Sequence, residues 1–329
     1  MKATAIANAN IALVKYWGKR DAKLMLPQNG SISMTCDGLT TTTTVEFSEK
    51  LKNDSVTIND EELLKDKDAV IAHLDLIRGL AKINLKAKMV SKSNFPVAAG
   101  LASSASGFAA LTVAAAKAAG LDLNERELTM LARRGSGSAS RSISEGFVEW
   151  HRGEKTNGED SYAESIVKKD YWKDFRMITT IVTESKKKIS SRAGMAQTIA
   201  TCPYYEGWLK TVGEDLNTVR EGIRERDFDK VGLCVEQNCL KMHATMMTTK
   251  PAIIYWQPAT MEIIQSVMMW REQGINCYFT IDAGPNVKVI CLEKDVKKIN
   301  EMLLELEGVK KTIICRLGDA ARLTNEHLF

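Results

Sequence analysis

Apolar and polar positions along the chain repeat with two periods, and the changes of period mark the elements. Ala3 to Ala7 is a short apolar run of strand length. Gly30 to Thr35 and Thr40 to Phe47 have β-branched strand character and flank Asp37-Gly38, so the pattern predicts two strands around a tight turn. Residues 51–62 are polar and charged, which suits a surface excursion. Over 68–83, Val70, Ile71, Leu74, Ile77, Leu80 and Ala81 recur with the spacing of one buried helical face, and Leu85 to Val90 returns to strand. A second helix is mostly alanine as far as Ala119, with Gly120 placed to stop it; Asn124-x-x-Glu127 is a capping-box signature for a third, through Arg134. Gly146 to Trp150 and Met177 to Thr183 read as strands on either side of a polar loop, 151–161.

From about Tyr204 helical patterns dominate: Tyr204 to Arg226, Asp229 to His243 and Thr260 to Gln273. Strands at Asn276 to Ile281 and Val287 to Leu292, a helix at Asp295 to Leu306 and a strand at Thr312 to Arg316 complete an α+β half. This shift in pattern puts the expected domain boundary near residue 184, dividing the chain into 1–183 and 184–329. No internal repeat is visible.

Composition narrows the class. A chain of 329 residues can bury a substantial core, and 44% hydrophobic with 26% charged residues is ordinary for a globular protein. The net charge of +4 is too small to argue for nucleic acid. Seven cysteines, scattered, odd in number and without a Cys-x-x-Cys pair, fit reduced thiols. The four histidines are not spaced for metal ligation on one helical face, so a His/Cys zinc site is not expected. Met1-Lys2-Ala3 opens no signal-type apolar core, and no apolar run approaches the ~20 residues needed to span a bilayer. The expectation is a cytoplasmic protein without a membrane or nucleic-acid partner.

Four stretches carry candidate chemistry, each with a plainer alternative. Pro96 to Gly107 brackets small residues between Gly100 and Gly107 and opens a helix, which suits an anion at unpaired amides; equally, it is an Ala-rich buried helix with a Ser cap. It is not a Walker A loop, because no Lys follows Gly107. Lys15 and Lys19, beside Tyr16 and Trp17, would share a face if locally helical and could meet a polyanion, or form a solvated pair. Gly135-Ser-Gly-Ser-Ala-Ser-Arg141-Ser142 offers close backbone approach, hydroxyls and a guanidinium fork, or is a linker with a surface Arg. Asp282, in Asp282-Ala-Gly-Pro-Asn286, projects from a strand end into a cleft or caps its own turn. Ser190 to Met195 lies close behind the expected boundary, where a ligand held between halves would be touched. The run Lys186-Lys187-Lys188 is a surface feature unless a nucleotide lies near.

The run Pro96-x-x-x-Gly100-Leu101-x-Ser103-Ser104-Ala105 resembles the ATP-binding motif of the GHMP small-molecule kinase superfamily. Taken with Asn10-Ile-Ala-x-x-Lys15-Tyr16-Trp17-Gly18-Lys19, Asn29-x-Ser31-Ile32-Ser33, Gly135 to Ser142 and Asp282 to Asn286, it is similar to the diphosphomevalonate decarboxylase family of that superfamily. Order and approximate spacing match from Asn10 to about Leu292, and five separate segments coinciding make the resemblance specific. It implies an α+β, two-domain GHMP-kinase fold: a ribosomal-protein-S5-domain-2-like N-terminal half, a ferredoxin-like C-terminal half, the active site in the cleft between them, and usually a homodimer. It also implies the reaction, in which ATP and (R)-5-diphosphomevalonate give isopentenyl diphosphate, ADP, phosphate and CO2 in the mevalonate pathway of isoprenoid biosynthesis.

By the same resemblance, Tyr16-Trp17-Gly18-Lys19, Ser136-Gly137-Ser138-Ala139-Ser140-Arg141 and Ser191-Arg192 would line the mevalonate ligand. Ala99, Gly100, Leu101, Ala102, Ser103, Ser104, Ala105 and Ser106 would hold the ATP phosphates, bridged by Mg2+ whose protein ligands the sequence does not assign. Asp282, Arg141 and Lys15 would be catalytic. These types suit the chemistry: a tertiary hydroxyl must be phosphorylated before it can leave, which needs a base near the oxygen and cations near the phosphates. Asp282 supplies the base, Arg141 orients the departing carboxylate, and Lys15, if beside Asp282, keeps it ionised. Two departures from the family pattern, Asn29-Gly30-Ser31 and Glu145-Gly146, touch the pocket's shape and not this chemistry. The rival readings are a decarboxylase of the 5-monophosphate, another GHMP kinase, and a silent nucleotide-binding module.

Overall fold

The structure, a computed structural model, describes residues 1–63, 67–95, 103–185 and 187–329. The N-terminal part contributes β1 (Lys2–Val14), β2 (Lys19–Asp21), β3 (Leu26–Pro27), β4 (Ser31–Ser48), β5 (Ser55–Ile58), β6 (Glu61–Glu62), α1 (Asp68–Ala81) and β7 (Lys86–Ser93). Then follow α2 (Ser103–Ala118), α3 (Glu125–Gly135), a 3-10 turn (Gly137–Ser142), β8 (Phe147–Trp150) and β9 (Ala163–Val167). The remainder is β10 (Phe175–Ile181), α4 (Ser191–Thr201), α5 (Tyr205–Glu225), α6 (Phe228–Met247), α7 (Pro258–Glu272), β11 (Cys277–Ile281), β12 (Val287–Leu292), α8 (Val296–Leu304), β13 (Lys311–Cys315) and β14 (Arg322–Thr324). Both sheets carry helices, so the α+β class expected above holds.

Of the two large sheets one runs β14-β1-β4-β7-β5-β6, with β8 and β9 continuing from β4, and the other runs β11-β12-β10-β13; β2 and β3 pair apart as a two-stranded sheet. The change of sheet therefore falls between β9 and β10, ahead of residue 184, because Phe175–Ile181 pairs with β12 and β13. At the far end β14 crosses back to pair with β1. Sequence pattern finds β1, β4, β7, β8 and β10 to β13, but not the short strands β2, β3, β5, β6, β9 and β14, nor any strand's partner, which is set by contacts far apart in the chain.

Three local expectations change for identifiable reasons. The Asp37-Gly38 pair makes no hairpin: β4 is continuous, and residues 37–39 bulge out between the pairs Ala9↔Cys36 and Asn8↔Thr40. The end of β13 docks on that bulge, where the Arg316 amide donates to Asp37 Oδ1 at 2.6 Å. Residues 51–62 contain β5 and β6 rather than only loop. Residues 15–19 are not helical, since β1 runs to Val14 and β2 starts at Lys19.

Other local signals hold. The Asn124 and Glu127 side chains reciprocally cap α3, and Gly120 stops α2 at φ +80°, where glycine carries no steric penalty. Helix α2 buries Ala105, Ala109, Ala110, Ala114, Ala115 and Ala118. Side chains this small let it lie close over β1 and β4, which brings its N-terminus to the cleft.

Candidate active site

The strand β1 ends by delivering Lys15 into the interior, and the segment behind it is pinned on every side. Lys15 donates from its amide to Asn238 Oδ1 on α6 at 2.8 Å, and its carbonyl accepts from Asn29 Nδ2 at 2.7 Å. Trp17 Nε1 donates to Thr198 on α4 at 3.0 Å, and the Tyr205 hydroxyl donates to the Trp17 carbonyl at 2.7 Å. Gly18 turns away from the cleft at φ +119°, a conformation that L side chains rarely adopt.

Lys15 is only 1% exposed, so its charge needs a partner. Its Nζ donates to the Ala12 carbonyl at 2.7 Å and to Asp282 Oδ1 at 2.9 Å. Asp282 follows β11, in a turn closed by the Gly284 amide on the Asp282 carbonyl at 2.7 Å, and its side chain keeps 23% of its surface toward the cleft. A second ammonium, Lys288 on β12, lies 3.7 Å from Oδ2. Burial pushes the Asp282 carboxyl up, but Lys15, Lys288 and Arg141 outweigh it and hold it at about 2.

Arg141, on the 3-10 turn, is buried at the cleft wall. It donates from Nη1 to Ser31 at 2.6 Å and from Nε to Asn10 Oδ1 at 3.2 Å. Asn10 in turn holds the loop through the Ser138 carbonyl and the Ser142 hydroxyl. Among the described residues Nη2 makes no hydrogen bond, and burial brings the guanidinium down to about 10, still cationic at neutral pH. The buried Tyr16 hydroxyl has no partner among the described residues, an orphan that a bound anion can satisfy.

Lys15, Tyr16, Trp17, Lys19, Ser103, Ser104, Ser136, Gly137, Ser138, Arg141, Ser191, Arg192 and Asp282 line one cavity of about 370 Å3. A second cavity of about 610 Å3 adjoins it, with Lys19, Met25, Gly135, Arg192 and Met195 common to both walls, so two ligands can lie side by side. Two helix N-termini face the space: α2 presents Ser103 and Ser104, and α4, capped by Ser190, presents Ser191 and Arg192. Burial, with Arg192 nearby, lowers Lys19 to about 8.

Some expected residues do not line the cavity. Ser140 is fully buried with its hydroxyl on the Gly137 carbonyl, and Ser106 turns inward to Thr41 at 2.7 Å. Ala105 and Ala139 are fully buried, and Gly18 serves the backbone path. Ala99, Gly100, Leu101 and Ala102 lie outside the described residues. The cavity also has walls the sequence reading left out, notably Met25, Phe108 and Met242, while Lys187 and Ser190, named there only as possible ligand contacts, do line it. Lys187 donates to Ser191 at 2.7 Å and to the Ala283 carbonyl at 3.0 Å, so one member of the lysine run faces the site.

Residues 7–163 match the diphosphomevalonate decarboxylase-like N-terminal domain, and residues 177–324 match the mevalonate 5-diphosphate decarboxylase C-terminal domain. The diphosphomevalonate decarboxylase of Candida albicans is 35% identical, covering 99% of this chain and 99% of its own length. The solved mevalonate diphosphate decarboxylase from Enterococcus faecalis superposes with a TM-score of 0.92 at 38% identity, covering 99% of each chain. A structure described as MDDEF in complex with MVAPP, AMPPCP and magnesium superposes with a TM-score of 0.93 at 38% identity, again over 99% of each chain.

Proposed function

The chain belongs to the diphosphomevalonate decarboxylase family, and from that premise we propose how its cleft carries out the family's reaction. The enzyme converts (R)-5-diphosphomevalonate and ATP into isopentenyl diphosphate, ADP, phosphate and CO2, with Mg2+ accompanying the nucleotide. The observation that carries the assignment of roles is the convergence, on one cavity, of Asp282 from the second sheet with Lys15 and Arg141 from the first.

In this reading the substrate's tertiary hydroxyl donates to Asp282. A carboxylate held at about 2 is a weak base, yet it is ionised at every working pH. Phosphoryl transfer through a loose transition state asks for little early proton movement, so the carboxylate's first task is to aim the oxygen at phosphorus. As the O–P bond forms, the oxygen becomes acidic and its proton passes to Asp282. Phosphate then leaves with the C–O electron pair, and the C–C pair of the carboxylate becomes the new double bond as CO2 departs. Arg141 orients that carboxylate with Nη2. Tyr16, Lys19, Ser191 and Arg192 take the diphosphate, and the first turn of α2 takes the nucleotide phosphates.

Among the described residues no group of three His, Cys, Asp or Glu gathers to hold a metal. The Ser103 and Ser104 hydroxyls at the first turn of α2 are the oxygen donors that would approach a Mg2+ brought in with ATP, which would supply neutralising charge for the phosphoryl group. A cytoplasmic homodimer belongs to the same reading: the resemblance supports the dimer, and seven free cysteines suit a reducing compartment.

The test is turnover of carboxyl-labelled diphosphomevalonate with ATP. Labelled CO2 released in step with ADP is expected, and ADP without CO2 would reduce the protein to a kinase. A clear preference for the 5-monophosphate in the same assay would overturn the substrate assignment.

A further inference from the structure

The ammonium of Lys288 is 1% exposed, sits outside the cavity wall and donates to the Asn286 carbonyl at 3.0 Å. It stands on β12, in the otherwise apolar run Val287–Leu292, beside the Asp282 oxygen that Lys15 does not bond. The two lysines are not equivalent. Lys15 makes a 2.9 Å hydrogen bond to Oδ1, whereas Lys288 is 3.7 Å from Oδ2, beyond hydrogen-bond reach but well within reach of its charge.

We propose that Lys288 is a positioning residue for the reaction. It holds the Asp282 carboxylate between two ammonium groups so that Oδ2, attracted but not bonded, is the oxygen that accepts the substrate hydroxyl. A shorter contact would occupy the lone pair needed by the substrate, and a missing charge would let the carboxylate rotate toward Lys15 or Arg141. The proton that leaves the hydroxyl thus goes to Oδ2, while the O–H electron pair stays on the oxygen that forms the new bond to phosphorus.

The surroundings leave this arrangement to the cations. The groups facing Asp282 are Lys15 at the end of β1, Lys288 on β12, Arg141 on the 3-10 turn, Lys187 ahead of α4, Cys239 and His243 on α6, and Cys36 on β4. Burial pulls His243 down to about 3 and pushes the Cys239 thiol up. The hydrogen bond with Cys315, and then burial, raise Cys36. All three are uncharged at neutral pH, so none can substitute for an ammonium on the Oδ2 side.

This inference rests on Asp282 being the acceptor, and a double-mutant cycle separates the two claims. kcat and KM are measured for wild type, K288M, D282N and the double variant, with nucleotide binding and thermal midpoint as folding controls. In the wild-type background K288M is expected to lower kcat about tenfold or more with KM unchanged, the cost of a misplaced acceptor. In the D282N background it should cost nothing further, and K288R, which keeps the charge, should recover most of the rate. Equal cost in both backgrounds, or no cost in wild type, overturns the role of Lys288. A D282N enzyme as fast as wild type overturns the acceptor beneath it. If K288M does not fold, K288Q retains a donor for the Asn286 carbonyl and enters the same cycle.

Discussion

Replacing Asp282 by Asn removes one negative charge and almost no volume, so its consequences can be worked from the site's electrostatics. In the folded protein burial opposes ionisation of the carboxyl, but Lys15, Lys288 and Arg141 prevail and hold it at about 2 against an ordinary 3.8. That difference corresponds to about 2 kcal/mol of folding stability that exists only while the group is charged. Asn stands in for the protonated carboxyl, so D282N should be destabilised by about this amount at pH 7, lowering Tm by about 3 °C for a chain of this length. Because the folded value is the depressed one, the contribution is complete above 3.8 and is lost only as the pH falls through about 2. The gap between the two proteins should therefore be the same at pH 7 and pH 5. Thermal or urea denaturation of both proteins at the two pH values reads it directly. The same variant should lose about 100-fold or more in kcat while still binding ATP. A D282N protein as stable as wild type at pH 7, or a gap that closes between pH 7 and pH 5, would refute the reasoning, since either means that the three cations do not outweigh burial.

Three further outcomes follow from the same geometry. If Arg141 orients the acceptor's carboxylate as proposed, R141Q should lower kcat by about 100-fold with ATP affinity retained; equal loss of nucleotide affinity, measured by titration, would contradict that role. Because burial and Arg192 hold Lys19 at about 8 in the free protein, kcat/KM for diphosphomevalonate should fall as the pH rises above that value. K19R should remove this basic limb, and a limb that stays would assign it to another group. G18A places a Cβ on the Tyr205 hydroxyl at a positive φ, displacing the bond from Tyr205 to the Trp17 carbonyl. It should cost about 2–3 kcal/mol in a denaturation experiment and raise KM for the diphosphate substrate.

How far the sequence discloses the site depends on how local each signal is. The capping box at Asn124 and the amphipathic face of α1 are short-range patterns, and each is found where its spacing puts it; of the motif segments, four and the Ser103–Ser104 end of the fifth supply residues at the cavity or bonded to its wall. Lys288 is a single polar residue inside an apolar strand and Asn238 is one of several polar residues on α6, and the meaning of each appears only when another part of the chain arrives beside it. A buried lysine in an apolar strand was the available signal for Lys288, because an ammonium in that setting requires an anion. The Asp37-Gly38 pair misleads for the same reason: its local preference for a hairpin yields to the docking of β13. Lys15 and Lys19 show the limit of helical spacing, since they share the cavity as neighbours of a strand end and not as one helix face.

The strand β1 explains how residues from two sheets are brought to one cavity. Its first half, Ala3 to Ala7, lies in the core beneath α2, while Ala9 to Trp17 lie in a different core built with α5 and α6. Arg141 is therefore fixed to this strand through Asn10, and Lys15, five residues further on, is fixed to α6 through Asn238. Asn238 is itself held by Asp215, which Lys241 neutralises. Separating Asp282 from Lys15 would break buried hydrogen bonds on both sides of the strand, each costly to leave unmade. The Asp282–Lys15 pair is thus tied to α6 and to the strand at once, while α4 and the β2–β3 hairpin, with side chains from Arg192 to Ile199 and from Lys19 to Met25, border the larger cavity.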